Sequence, residues 1–263
     1  MKKYLFIFFL LLFRFVFAAS ATEPFRFALF SDLHIFTVNH QPSVDLQNAV
    51  NDVNQLKNID FVLVSGDVSN LGDTASLKEA RKLLQRLKMP YYIIPGNHDV
   101  KWNGPNPANF TTVFQNDKFS FTHKGYLFIG FTTAPLTKST NGIIQKEDIN
   151  WVKTILEKAG KDMPFFAVTH YPLQTGDVDN WKDMTDVLKQ YNVRAVLGGH
   201  YHRNVLFNYD GIPGIICRST LRNNDSVGGY SLFTVSDTLT VTEKRIAKPE
   251  TLWLTMPLIT DKQ

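Results

Sequence analysis

The stretch Tyr91–Asp99, YYIIPGNHD, runs four apolar or aromatic residues into Pro95-Gly96 and then sets three polar residues in a row. A short apolar run bounded by a turn signal reads as a buried strand that ends at Pro-Gly. Asn97 and Asp99 are ordinary turn residues. His98 is not, and the three together place ligand-capable side chains at one strand end. Whether this is only a turn, or part of a site, depends on how the other strands end.

Runs of the same kind recur at Phe25–Phe30, Phe61–Val64, Tyr91–Ile94, Tyr126–Phe131, Phe165–Val168 and Val193–Leu197. They suit strands buried on both faces. Between them lie helical patterns. Val44–Leu56 carries apolar residues at Val44, Leu46, Ala49, Val50, Val53 and Leu56, and Leu77–Leu87 and Lys146–Ala159 repeat the theme. Strand alternating with helix predicts βαβ units and a parallel or mixed sheet, an α/β fold. After Gly199 the runs RNVLFNYD, IPGIICRS, GYSLFTVS and TLTVTEKRI predict an antiparallel meander. The final PETLWLTMPLITDKQ is expected to be a packed tail. No Pro/Gly/Ser-rich linker interrupts the chain, so one mature domain over residues 21–263 is expected.

The strand ends share a chemistry. The first ends in SDLH (Asp32, His34), the second in SGD (Asp67), and the third in PGNHD (Asn97, His98, Asp99). Later runs end in VTH (His170) and GGHYH (His200, His202). Five of the 7 histidines therefore sit at strand C-termini, whereas His40 and His123 read as surface or loop residues. In open α/β sheets ligands bind at those ends, so the residues converge on one spot. Residues two apart on a strand point the same way, which pairs Asp32 with His34 and His200 with His202. Oxygen and imidazole donors without thiolate suit Mn, Zn, Fe, Co or Ni. Asp32, His34, Asp67, Asn97, His170, His200 and His202 are too many for one tetrahedral ion. They suit two ions about 3.5–4 Å apart that share a carboxylate.

The 263-residue chain is long enough for a substantial core. It opens with MKKYLFIFFLLLFRFVFAASAT, in which Lys2 and Lys3 precede an apolar stretch and small residues from Ala18 to Ala21. This is the layout of a signal peptide over residues 1–20, and it predicts export to the periplasm or outside the cell. The alternative is an uncleaved membrane anchor, but Arg14 leaves the apolar run short of the roughly 20 residues a span needs. Loss of Lys2, Lys3 and Arg14 turns 28 basic against 24 acidic residues into 25 against 24, a formal +1. A near-neutral domain gives no sign of a nucleic-acid patch. The single Cys217, in the apolar run GIIC, excludes an internal disulfide and reads as a buried structural thiol.

The ordered set D-x-H, G-D, G-N-H-D, H and G-H-x-H, from about Arg26 to Asn204, resembles the calcineurin-like metallophosphoesterase superfamily. That resemblance implies a four-layer α/β/β/α sandwich with a dinuclear metal site at the strand C-terminal ends. It implies that Asp32, His34 and His202 bind one ion, that Asn97, His170 and His200 bind the other, and that Asp67 bridges. His98 matches a non-ligand histidine that contacts the phosphate or protonates the leaving group, with Asp99 orienting it. The implied reaction is hydrolysis of a small phosphoester by water activated between the metals. Asn70 stands where purple acid phosphatases carry an iron-binding tyrosine, so that site is not expected. The segment from Ser65 to Asp99 is more similar to class III cyclic-nucleotide phosphodiesterases, which weights the expectation toward a phosphodiester. A phosphomonoesterase would use the same ligands, and a non-catalytic binding module is the remaining alternative. Specificity is expected in the loops beyond the strand ends, with Trp102, Trp181 and Arg222 as candidates to stack on a base or clamp a phosphate.

Overall fold

The computed structural model describes residues 23–101, 108–135 and 141–258. The expected leader and Trp102 lie outside them. Along the chain run β1 (Phe25–Phe30), α1 (Gln41–Val53), β2 (Phe61–Val64), α2 (Thr74–Leu84), β3 (Tyr91–Ile93), α3 (Asn97–Lys101) and α4 (Ala108–Phe114). Next come β4 (Phe119–His123), β5 (Tyr126–Gly130), α5 (Lys146–Ala159), β6 (Phe165–Val168), α6 (Trp181–Leu188) and β7 (Val193–Gly198). The chain finishes with β8 (Val205–Tyr209), β9 (Ile212–Ile216), β10 (Gly229–Val235), β11 (Thr238–Arg245) and β12 (Glu250–Pro257).

The strands form two six-stranded sheets, ordered β12-β11-β10-β1-β2-β3 and β4-β5-β6-β7-β9-β8. Within the first, β1, β2 and β3 are parallel. Within the second, β5, β6, β7 and β9 are parallel. Three apolar clusters separate four layers. Leu46, Val50, Leu77 and Phe110 from α1, α2 and α4 cover one face of the first sheet with Phe30, Val62 and Val64. Phe27, Leu29, Phe61, Phe128, Phe166 and Phe233 fill the space between the sheets. Val152, Leu156, Met184 and Leu188 from α5 and α6 cover the second sheet. This is the expected α/β/β/α sandwich. Phe27 is the hinge of the inter-sheet layer, stacked 5.0 Å from Phe61 and 4.8 Å from Phe233.

Several details differ from the sequence-based expectations, each for a local reason. Helix α1 starts earlier than Val44 because Pro42 occupies its first turn, where a missing N–H costs nothing. Val44 faces solvent, and Asp45 is buried instead. Helix α2 starts at Thr74 because the Asp73 carboxylate caps it, accepting from the Ser76 N–H at 2.9 Å. The C-terminal strands are not one meander. The β8–β9 hairpin joins the second sheet, while β10, β11 and β12 cross to the first. Hairpins look alike in sequence whichever sheet receives them. The tail expected merely to pack is the edge strand β12, half-exposed and so without a continuous apolar run. His123 belongs to β4 rather than a loop, with Nε2 3.0 Å from Asp60.

Candidate metal centre

The parallel strands β1, β2 and β3 of the first sheet and β6 and β7 of the second carry every expected site residue at their C-terminal ends. After β1 come Asp32 and His34; after β2, Asp67; after β3, Asn97, His98 and Asp99. The second sheet supplies His170 after β6 and His200 and His202 after β7. Asp32, His34, Asp67, His200 and His202 all have positive φ, between 43° and 74°. Non-glycine residues rarely adopt that conformation, and it turns each side chain off its strand direction toward the others.

Their ligand atoms meet. One atom from each of Asp32, His34 and His202 lies within 4.8 Å of the other two, and the same holds for Asp67, His170 and His200. The Nε2 atoms of His34 and His202 are 3.1 Å apart, and His202 Nε2 is 3.3 Å from Asp32 Oδ1. Asp67 Oδ2 lies 3.7 Å from His34 Nε2 and 3.2 Å from His170 Nε2, so it touches both groups. Asn97 Oδ1 is 3.1 Å from His170 Nε2. A third group, His34, Asp67 and His98, is as tight as the other two.

Backbone and hydroxyl groups hold this arrangement. The Ser31 hydroxyl and the His200 N–H donate to Asp32, at 2.6 and 3.1 Å. The His98 N–H donates to Asp67 Oδ1 at 2.8 Å. His170 Nδ1–H donates to the Ser65 carbonyl, and His98 Nδ1–H to the Asn70 carbonyl, both at 2.8 Å. Glycine makes room for the carboxylates. A Cβ on Gly96 would lie 2.2 Å from Asp67 Oδ1, and one on Gly199 2.6 Å from Asp32 Oδ2.

Asp99 stands elsewhere than expected. Its carboxylate accepts from the N–H groups of Gly96 (2.9 Å), Val68 (3.0 Å) and Ser69 (2.8 Å) and from the Ser69 hydroxyl (2.8 Å). It ties the end of β2 to the end of β3, and the Asn70 carbonyl rather than Asp99 is the partner of His98 Nδ1. Burial and the nearby Asp67 charge raise the Asp99 pKa to about 6, against the lowering effect of its hydrogen bonds.

The electrostatics call for a cation. With Nδ1–H given to Ser65, a neutral His170 would point an Nε2 lone pair at two oxygens, those of Asp67 and Asn97. Burial opposes a second proton on His170, but the Asp67 and Asp32 carboxylates outweigh it and raise the pKa to about 9. Asp67 is held below the usual carboxylate range: burial opposes its charge, and His170 more than compensates. His200 is pushed down to about 3 by burial and the neighbouring His170. Two buried carboxylates amid imidazole nitrogens at such distances are the donor set of a divalent-cation site.

Some candidates fall outside the cluster. Arg222 is engaged with buried Asp45 through its backbone N–H (3.0 Å) and its guanidinium (2.7 Å). Trp181 packs against the α5–α6 core, with Nε1 3.2 Å from the Thr175 hydroxyl. Sequence reasoning missed Asp177, which is buried 4.0 Å from His200 Nε2 and accepts from the Tyr201 hydroxyl at 2.7 Å. It sits in a loop with no motif to mark it. A cavity of about 410 Å³ opens over His34, Asn70, His98 and His202.

Comparison with known proteins agrees with this geometry. The calcineurin-like phosphoesterase family model matches residues 25–204. A relative described as "Probable cyclic nucleotide phosphodiesterase" from Vesicomyosocius okutanii is 28% identical over 79% of this chain and 92% of its own length. A bovine protein described as a serine/threonine-protein phosphatase is 30% identical over 65% of this chain and 62% of its own. The crystal structure of a dimetal phosphatase from Danio rerio superposes with a TM-score of 0.71 at 13% identity, covering 91% of this chain and all of that one. With the motif set intact at five converging strand ends, the chain belongs to the calcineurin-like phosphoesterase family and is a metal-dependent phosphoester hydrolase.

Proposed function

We propose that the chain is an exported phosphoesterase that holds two divalent transition-metal ions and hydrolyses a small phosphodiester, with a cyclic nucleotide favoured. The observation that carries this is Asp67, whose Oδ2 reaches both His34 and His170 and so joins two clusters that could each hold an ion. In this reading Asp32, His34 and His202 hold one ion, Asn97, His170 and His200 hold the other, and Asp67 is shared. The ions, when bound, supply Lewis acidity for the phosphate oxygens and acidify a water. The chain supplies the rest. The Asn70 carbonyl accepts from His98 Nδ1 and orients the ring, whose role is to pass a proton to the departing oxygen. Asp99 keeps the His98 backbone in register with Asp67 by tying the two strand ends together.

The description of the Vesicomyosocius relative supports a diester. The bovine relative supports the second reading, a monoesterase on the same ligands. The leader-like residues 1–20 support export. No helix among the described residues is long and apolar enough to cross a membrane.

The decisive assay sets the manganese-loaded protein against a bis-aryl phosphate and an aryl phosphate monoester, with metal content measured on the same sample. Two ions per chain and faster diester turnover are expected. Faster monoester turnover selects the second reading, and bound metal without either activity makes the chain a binding module. Export is tested by the mass of the protein recovered outside the cytoplasm, which should begin near residue 21.

A further inference from the structure

A second cavity, larger than the one over His98, lies beside it. It holds about 780 Å³ and shares His202 with the His98 cavity. Three arginines line it: Arg203, Arg218 and Arg245. Arg218 reaches it for a topological reason. Because β9 runs parallel to β7, its C-terminal end emerges beside the end that delivers His202. The Cys217 N–H donates to the Gly198 carbonyl, and the Ser219 hydroxyl to the Asp32 carbonyl at 3.1 Å. Arg218 thus sits between residues fixed to the metal-centre loops.

Its guanidinium is only 4% exposed as a residue, yet Nη1 has no hydrogen-bond partner among the described residues. Nη2 donates to the Leu221 carbonyl at 3.4 Å, and the acids pair with the guanidinium only beyond hydrogen-bond distance, Glu243 at 3.6 Å and Asp225 at 3.8 Å. Both are drawn instead into close ion pairs with Arg245. The Arg218 N–H is anchored by Asn204 Oδ1 at 2.9 Å, two residues beyond His202. A Cβ at Gly229 would lie 2.3 Å from Nη1, so a glycine keeps the space the guanidinium fills. Arg203, also in the lining, is exposed, with its guanidinium over the Tyr201 ring at 5.9 Å. A buried guanidinium with an unused donor is costly to keep unless something takes that donor. Its planar fork matches phosphate oxygens.

We infer that this cavity is a subsite for a second phosphate of the substrate, bound by Arg218 with Arg203 while the scissile phosphate lies at the metal centre beside His202. The inference rests on the phosphoesterase reading, and it narrows the substrate class to phosphoesters that carry a further phosphate.

The test uses two substrates with the same scissile ester, thymidine 5′-(p-nitrophenyl phosphate) and its 3′-phosphorylated form. In the wild type, the added phosphate should raise kcat/KM by about tenfold or more, the effect of one hydrogen bond to a charged group. In Arg218→Gln that ratio should fall toward one, and in the exposed variant Arg203→Gln it should fall by a smaller factor. Calorimetric binding of thymidine 3′,5′-bisphosphate against thymidine 5′-phosphate should show the same preference and the same losses. Equal kcat/KM for the pair in the wild type overturns the subsite and leaves the phosphoesterase reading intact. A ratio unchanged in both variants also overturns it. If neither ester is cleaved but the bisphosphate binds more tightly and Arg218→Gln cancels the difference, the subsite stands and the phosphoesterase reading falls.

Discussion

The two sheets meet at one site with different chemistry. The first brings two carboxylates, Asp32 and Asp67, together with Asn97 and the paired His34 and His98. The second brings His170, His200, His202 and Arg218, with Asp177 as its one carboxylate near them, 4.0 Å from His200. The first half alone would concentrate negative charge in a buried place, and the second alone would gather imidazoles with one acid to balance them. One pair of shifts crosses between the halves: against burial, Asp67 raises His170, and His170 lowers Asp67. The centre is therefore a property of the packed sandwich. What presses the halves together is the aromatic layer around Phe27, not the site.

The sharpest way to break this picture is Asp67→Ala. It removes the oxygen that touches both halves, so metal content should fall and turnover should drop about a thousandfold or more, the several kcal/mol that a metal site supplies. Full metal content in this variant would show that the halves hold ions independently. Phe27→Ala separates packing from chemistry. The side chain is fully buried between two stacked rings, so urea denaturation should show a loss of about 3–5 kcal/mol. His98→Ala tests the first half's non-ligand: turnover should fall about a hundredfold with metal content unchanged. Loss of metal would make His98 a ligand, as its closeness to His34 and Asp67 also permits.

Asp99→Asn should cost about 1–3 kcal/mol of stability, because an amide cannot accept from all of the Gly96, Val68 and Ser69 donors. The NMR signature of the His98 Nδ1 proton should stay in place. A shift there would return to Asp99 the orienting role expected from adjacency. The smallest effect is on pH. Without metal, His170 is protonated below about 9, and an ion must displace that proton. Apparent metal affinity should therefore rise with pH, by about tenfold per unit below pH 9 for this one proton. A flat titration would remove His170 from the ligand set.

The sequence was most legible where strands are buried on both faces. Phe25–Phe30, Phe61–Val64 and Phe165–Val168 have the expected bounds because a continuous apolar run has few other readings. The strand-end residues were legible for a related reason, since a polar cluster after such a run is conspicuous. Half-exposed β4 and β12 escaped notice because their alternation is diluted by polar faces. The role of Asp99 was misread because adjacency in the chain suggested a partner, whereas its acceptors meet N–H groups some 30 residues away in sequence. Arg218 could not be found at all without knowing that β9 lies parallel to β7. That pairing is a fact of topology, and no local pattern carries it.

The pairing of β1 with β10 has a consequence for how the molecule is made. Phe25 lies opposite Val235, and Ser31 exchanges hydrogen bonds with Thr220, so β1 is completed by β10, a strand far later in the chain. Until residues 219–235 arrive, β1 presents an open edge that another chain could pair with. The loop bearing Asp32 also lacks one of its walls. A chain stopped after residue 204 would contain every candidate metal ligand and still lack the Thr220 and Ser219 contacts that flank the first of them.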